Sequence, residues 1–183
     1  MRLETARLTL RLWRDDDKPR YAEIIGDPEV RRFFPSVGTL IDATIAIDRA
    51  MTRYAEHGYT MLAVERQADA AFIGMLGLAP FSDTLRAAIP GAPAVEIGWQ
   101  FGRHFWGQGY APEAAQAMLD LAWDALKLPE VVAITTVTNA PSRRVMEKLG
   151  MTYDPKADFD HPEIPLYHPL RRHVLYRVAN PRP

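Results

Sequence analysis

Ala94-Val-Glu-Ile-Gly-Trp-Gln-Phe101, then Trp106-Gly-Gln-Gly109, then the stretch from Pro112 to Leu126, rich in Ala, Leu and Met, is the part of the chain whose reading decides the fold. The first part is a short β-branched and aromatic run, which reads as a strand. The last reads as a helix: Pro112 fits a first-turn position, where its missing N–H costs nothing, and Glu113 suits the positive end. Gly107 and Gly109 stand one residue apart at the junction. Glycines there let the backbone approach a ligand, and amides converging at a helix start favour an anion such as a phosphate or pyrophosphate. A plain tight turn explains the same two glycines equally well. Rival phosphate motifs fail: no GxxxxGK[ST] occurs, and Pro112 stands where a dinucleotide fingerprint needs a third glycine. Neither GxSxG nor HExxH occurs.

Working outward, Arg7 to Trp13 alternates with period two and predicts a strand with Leu8, Leu10 and Leu12 facing inward. Lys18 to Gly26 and Thr39 to His57 predict two helices, each followed or closed by a glycine, Gly26 or Gly58. Tyr59 to Glu65 and Ala71 to Leu78 predict a hairpin, and Ser82 to Pro93 a longer connection. Val131 to Thr138 predicts a strand and Ser142 to Leu149 a helix closed by Gly150. A loop holding Pro155, Pro162, Pro165 and Pro169 leads to a last strand, Val174 to Val178. The element order is mixed α/β.

With 183 residues, 48% of them apolar, the chain can bury one sizeable core, so residues 1–183 read as a single domain. Charged residues cancel to a net charge of -1 without a long run of one sign, which argues against a nucleic-acid partner. The absence of cysteine excludes disulfides, thiol catalysis and a cysteine-bound zinc. Charges are scattered through the N-terminus and no apolar run approaches membrane-spanning length. The expectation is a soluble, cytoplasmic monomer or homodimer without a membrane partner.

Glu96-Ile-Gly-Trp-Gln-Phe101, Trp106-Gly-Gln-Gly-Tyr-Ala-Pro-Glu-Ala114 and Asn139-Ala-Pro-Ser-Arg-Arg-Val-Met-Glu-Lys-Leu-Gly-Met151 resemble, in order and spacing, the GNAT acetyltransferases of the RimJ/RimL-like branch. The opening Leu3-Glu-Thr-Ala-Arg-Leu-Thr-Leu-Arg11 is similar to the same branch, so the resemblance spans most of the chain. It implies an α/β (α+β) fold: one GNAT-like domain with a mixed, mostly antiparallel sheet of about six to seven strands, splayed at the cofactor site, and about four helices on its faces. It also implies acetyl-CoA as cosubstrate, an amine acceptor and no metal. The pyrophosphate would sit on backbone amides of Trp106, Gly107, Gln108, Gly109, Tyr110 and Ala111. The family pattern Q/R-x-x-G-x-G/A is met at Gly109 and Ala111, with Trp106 in its first position. The strand from Ala94 to Phe101 would pair its free backbone groups with the pantetheine arm, Trp99 and Phe101 being the contacts. Core packing is the competing reading for the side chains of Trp99, Phe101, Phe105 and Trp106.

Aminolysis of a thioester needs a neutral amine, removal of its proton, polarisation of the carbonyl and a proton for the thiolate. Glu96 lies on the strand expected to flank the acetyl group, and an apolar setting would raise its pKa from about 4.3 toward that of a useful base, acting through a water. A solvent-facing or salt-bridged strand residue is the competing reading, and Glu65 is the reserve candidate. Asn139 and Ser142 sit where Asn, Pro141 and Ser also make a helix start. By resemblance, Asn139 contacts the cofactor arm and Ser142 lies near the sulfur. Many GNAT enzymes place a tyrosine one turn further on; here that position is Met146, which shifts weight to Ser142 or to water. Arg143, Arg144 and Arg103 could reach the ribose phosphate, although a solvated helix face explains paired arginines more often. Asp158, Asp160, His161, Glu163, His168 and His173 match no metal motif; a loop lining the acceptor pocket is the reading for them. Phe33, Phe34 and Tyr54 are further acceptor-side candidates. The functional expectation is transfer of an acetyl group to a protein N-terminal α-amine or a small-molecule amine. The alternative is a module that binds acetyl-CoA without turnover.

Overall fold

The computed structural model describes residues 1–91 and 93–182; Ala92 and Pro183, the last residue of the span read as one domain, lie outside them. The chain begins with β1 (Arg2–Glu4) and β2 (Leu8–Arg11). All of β2 is buried, because both sheet faces are covered there, whereas Leu12, expected to point inward, is only half-buried. Three helices follow: α1 (Asp17–Gly26), the single turn α2 (Pro28–Arg31) and α3 (Leu40–His57). Gly26 does not close α1 in a left-handed conformation. Asp27 ends that helix and accepts from the Glu29 N–H at 2.8 Å, starting α2 at once. Thr39 and Asp42 form a reciprocal capping box at the head of α3, and Gly58, at φ 76°, ends it.

The hairpin of β3 (Met61–Arg66) and β4 (Ala71–Pro80) forms where the pattern predicts it. The connection expected over Ser82 to Pro93 instead holds α4 (Asp83–Ala88), capped by the Ser82 hydroxyl. Then come β5 (Val95–Phe101), α5 (Tyr110–Asp124), β6 (Glu130–Thr136) and α6 (Ala140–Lys148). The proline-rich segment contributes β7 (Thr152–Tyr153) and β8 (Phe159–Asp160) before β9 (Arg172–Ala179). Among the described residues the sheet thus has nine strands and the chain six helices, more than the six to seven and four expected. The additions are elements too short to show a period of their own.

The strand order is β1-β2-β3-β4-β5-β6-β9-β7, with β8 also on β9. Every pairing is antiparallel except that of β5 with β6. One face packs on α5 and α6: Val95, Ile97 and Phe101 of β5 meet Tyr110, Met118 and Met146 there. The other face carries two separate apolar clusters. One joins α1 and α3 to Ala63 and Phe72, and the other joins α4 and Phe159 to Val132 and Leu175. Period-two alternation puts Glu96, Gly98 and Gln100 of β5 at the seam between them.

A buried ion network ties β2 to α1 and β3. The Arg11 guanidinium donates to both Asp17 oxygens, at 2.7 and 2.8 Å, and to Glu65. Removing one partner leaves a charge short of its hydrogen bonds in low dielectric. Asp17→Ala is therefore expected to lower stability by about 3 kcal/mol in urea unfolding; a loss below about 1 kcal/mol would show the network to be dispensable.

Candidate active site

The parallel strands β5 and β6 are paired in register at a single position, Glu96 opposite Val132, and the ladder does not continue beyond it. Backbone groups of β5 directed toward β6 past that point find no partner strand. The opening leads into a cleft of about 290 Å³. Trp99, Gln100 and Phe101 of β5 form one wall, and Asn139, Ser142 and Val145 the opposite one. Trp106, Gly107, Gly109, Tyr110 and Ala111 line its outer end, and Phe33 and Phe34 cover it from the segment after α2.

At that outer end Gly107 and Gly109 have φ 74° and 81°, a region that a side chain resists. Gly109 is the N-cap of α5 and supplies no side-chain cap. Among the described residues, the amides of Gly107, Gln108, Gly109, Tyr110 and Ala111 donate to no protein acceptor. Pro112 has no amide to donate. Successive N–H groups at the positive end of a 15-residue helix form a cradle for an anion.

The cradle is held from outside. Arg7 donates through Nη1 to the Gln108 carbonyl at 3.0 Å, pairs with Glu113 at 2.6 Å and lies 4.7 Å from the Tyr110 ring centre. The Thr5 hydroxyl donates to the same Glu113 at 2.6 Å. Glu113 is therefore part of a clamp joining the N-terminal segment to the first turn of α5, in addition to any interaction with the helix dipole.

Glu96 sits at the inner end of the opening and is not part of the cleft wall. Its side chain keeps some solvent access and, among the described residues, accepts no hydrogen bond. Desolvation pushes its carboxyl up to about 7, and the field of Arg53 opposes this. On the cleft wall, Asn139 caps α6 by accepting from the Ser142 N–H at 3.3 Å. Its Nδ2 donates to Thr135 Oγ1 at 2.9 Å and to Ser142 Oγ at 3.1 Å. Because the Ser142 oxygen accepts from Asn139, its own proton is free to point into the cleft.

The GNAT acetyltransferase domain matches residues 7–152. The chain belongs to this family. An uncharacterized N-acetyltransferase of Bacillus subtilis, YnaD, is 31% identical over 152 residues, 82% of each chain. An acetyltransferase from Agrobacterium tumefaciens superposes with a TM-score of 0.77 at 26% identity, covering 97% of this chain and 94% of that one. In fold alone, at 16% identity and a TM-score of 0.76 over 98% of both chains, it also matches RimL, a ribosomal L7/L12 alpha-N-protein acetyltransferase solved with coenzyme A. The protein is an acyltransferase of the GNAT family.

Within this GNAT domain the structure sorts the residues singled out by sequence. Trp99, Phe101, Trp106, Gly107, Gly109, Tyr110, Ala111, Asn139 and Ser142 all line the cleft. Gln108 does not: its Nε2 donates to the His104 carbonyl at 2.9 Å, turning the side chain away. Phe101 and Tyr110 also serve the core, being 5% and 7% exposed, so core packing and cleft lining are one fact for them. Glu65 is held by Arg11 and Arg14 and is not available as a base. Met146 is buried in the core, so no side-chain acid stands at that position.

The two arginines of α6 part company. Arg143 donates to Tyr176 and to the Val137 carbonyl, both at 3.2 Å, whereas Arg144 lines the cleft with Lys148 one turn on and with Arg32. The rings of His161 and His173 lie tilted to one another, 4.9 Å apart, beside Phe159 and outside the cleft wall. No group of three or more metal-ligating side chains forms among the described residues. No helix among them is long and apolar enough to cross a membrane. Sequence reasoning missed the Arg7–Glu113 clamp, Thr135 and Gln100. A clamp across more than one hundred residues leaves no local signal, whereas the four-residue spacing of Arg144 and Lys148 was available to helical periodicity.

Proposed function

We propose that this GNAT domain transfers the acetyl group of acetyl-CoA to a primary amine by direct attack, the acceptor being a protein N-terminal α-amine or a small-molecule amine. The observation that supports the reading is the single paired position of β5 and β6: past Glu96 the ladder stops, and the cleft beside it ends in a cradle of free amides. Acetyl-CoA supplies an activated acyl group and a thiol leaving group. The amides of Gly107 to Ala111 suit its pyrophosphate, with Arg144 and Lys148 adding positive charge on the cleft wall.

Glu96 takes the proton from the attacking nitrogen through a water, as an unpaired carboxyl near neutrality can. Ser142 donates its hydroxyl proton to the departing sulfur, held in place by Asn139 and, through it, Thr135. The balance is amine plus thioester to amide plus thiol. Because an alkyl thiolate also leaves with help from water, Ser142→Ala is expected to lower kcat by only about tenfold, less than loss of an obligatory acid. An unchanged kcat would remove Ser142 from the chemistry. Release of free CoA thiol on adding an amine library tests the whole reading: tight acetyl-CoA binding with no acetylated product from any amine would make the domain a binding module.

A further inference from the structure

The face of β5 that carries Glu96 has one more polar group. Gln100 is on the same face of β5, four residues on, lines the cleft and is only 6% exposed. Its amide is half used. The Tyr21 hydroxyl of α1 lies 3.3 Å from Oε1 and 3.4 Å from the Met75 sulfur. A hydroxyl has one proton to give, and an amide oxygen is a far better acceptor than a thioether, so Tyr21 donates to Oε1 and fixes which way the amide faces. Burial pushes Tyr21 up to about 12, so that proton stays in place at neutral pH. Tyr21 is packed against Trp13 at 5.2 Å, which makes the support rigid. Nε2, on the other side of the amide, is buried without a partner among the described residues. Buried donors are nearly always paired, so this one is poised for a ligand.

The face assigns the ligand. The anion cradle and Ser142 lie toward α5 and α6, whereas Gln100 shares its face with Glu96, which must meet the amine. Between them Gly98 has no side chain, and only the flexible end of Met61 lies over it, its Cε 3.0 Å from where a Cβ would stand. Carboxyl, bare glycine and amide thus follow one another along about 13 Å of strand. Nε2 can only donate. A protonated polyamine, which carries donors alone, would leave it unpaired, and a plain alkyl amine would bury it against carbon.

We propose that Gln100 is a specificity-determining residue, donating from Nε2 to a carbonyl or carboxylate oxygen that the acceptor carries within a few bonds of its amine. The acceptor class is then an amine of the amino-acyl type. The proposal rests on the acetyl-transfer reading above. It is tested with glycinamide and propylamine, compared on kcat/KM per concentration of unprotonated amine. The unmodified protein should prefer glycinamide at least about tenfold. Gln100→Leu should erase that preference while the acetyl-CoA Kd stays within about twofold, which also shows that the variant folds. Gln100→Met, unbranched and of similar length, should do the same if leucine disturbs packing. Equal efficiency of the two amines in the unmodified protein overturns this proposal alone, as does a Gln100 variant that keeps the preference for glycinamide. Acetyl-CoA binding without acetylation of any amine overturns the transfer reading and this proposal together.

Discussion

Glu96→Gln is expected to lower kcat by about 10² or more while leaving the acetyl-CoA Kd nearly unchanged. The carboxyl sits where β5 and β6 part, free of hydrogen bonds among the described residues, and desolvation raises it to about 7. A base must be ionised to act, so the rate should rise with pH through about 7. In the variant that inflection should vanish, leaving only the ionisation of the amine itself. Stability should move the other way. The folded carboxyl holds its proton more tightly than the unfolded one, whose ordinary value is about 4.3. Stability is therefore full below that value, declines as pH rises through about 7 and stays lower above it. Glutamine is neutral throughout, so at pH 8 the variant should unfold later than the unmodified protein, by up to about 3 kcal/mol, and at pH 4 the two should match. A variant that retains full activity at neutral pH would place the base elsewhere; one that loses activity without gaining stability at pH 8 would show that burial does not tune Glu96.

Gly109→Val is expected to abolish acetyl-CoA binding measured by calorimetry, a loss of about 100-fold or more in affinity. Gly109 holds φ 81°, which a β-branched residue resists at a cost of about 1–3 kcal/mol. Its added Cβ would also lie 3.4 Å from Arg7 Nη2, the side chain that fixes the turn through the Gln108 carbonyl. Both effects shift the run of free amides rather than remove one contact, so the anion loses several donors at once. Gly109→Ala, which adds the Cβ without the branch, should fall between the two. Normal affinity in the valine variant would mean that the phosphates sit elsewhere and would sink the cradle.

How much of this was legible in the sequence depended on the range of the forces involved. The strand, glycine turn and helix at Val95 to Asp124 rest on local propensity and on the conformational freedom of glycine, and they form with only a small shift: α5 starts at Tyr110, two residues before Pro112. The capping box of α3 and the Asn139 cap of α6 are equally local. Short elements escaped. A two-residue strand such as β8 has no period and exists because β9 offers it a partner.

The residue types of the site, Glu96, Gly107, Gly109, Asn139 and Ser142, were fixed by sequence, together with the family they resemble. Where they stand and what they meet was decided by packing. The ladder of β5 with β6 stops at Glu96, beside the cleft, and burial between two apolar clusters raises its pKa. The same packing commits Glu65 to Arg11, turns Gln108 outward, separates Arg143 from Arg144 and leaves one face of the Gln100 amide unpaired. Each outcome depends on which distant segment arrives to desolvate or pair a group, and that energy does not exist until the chain is folded.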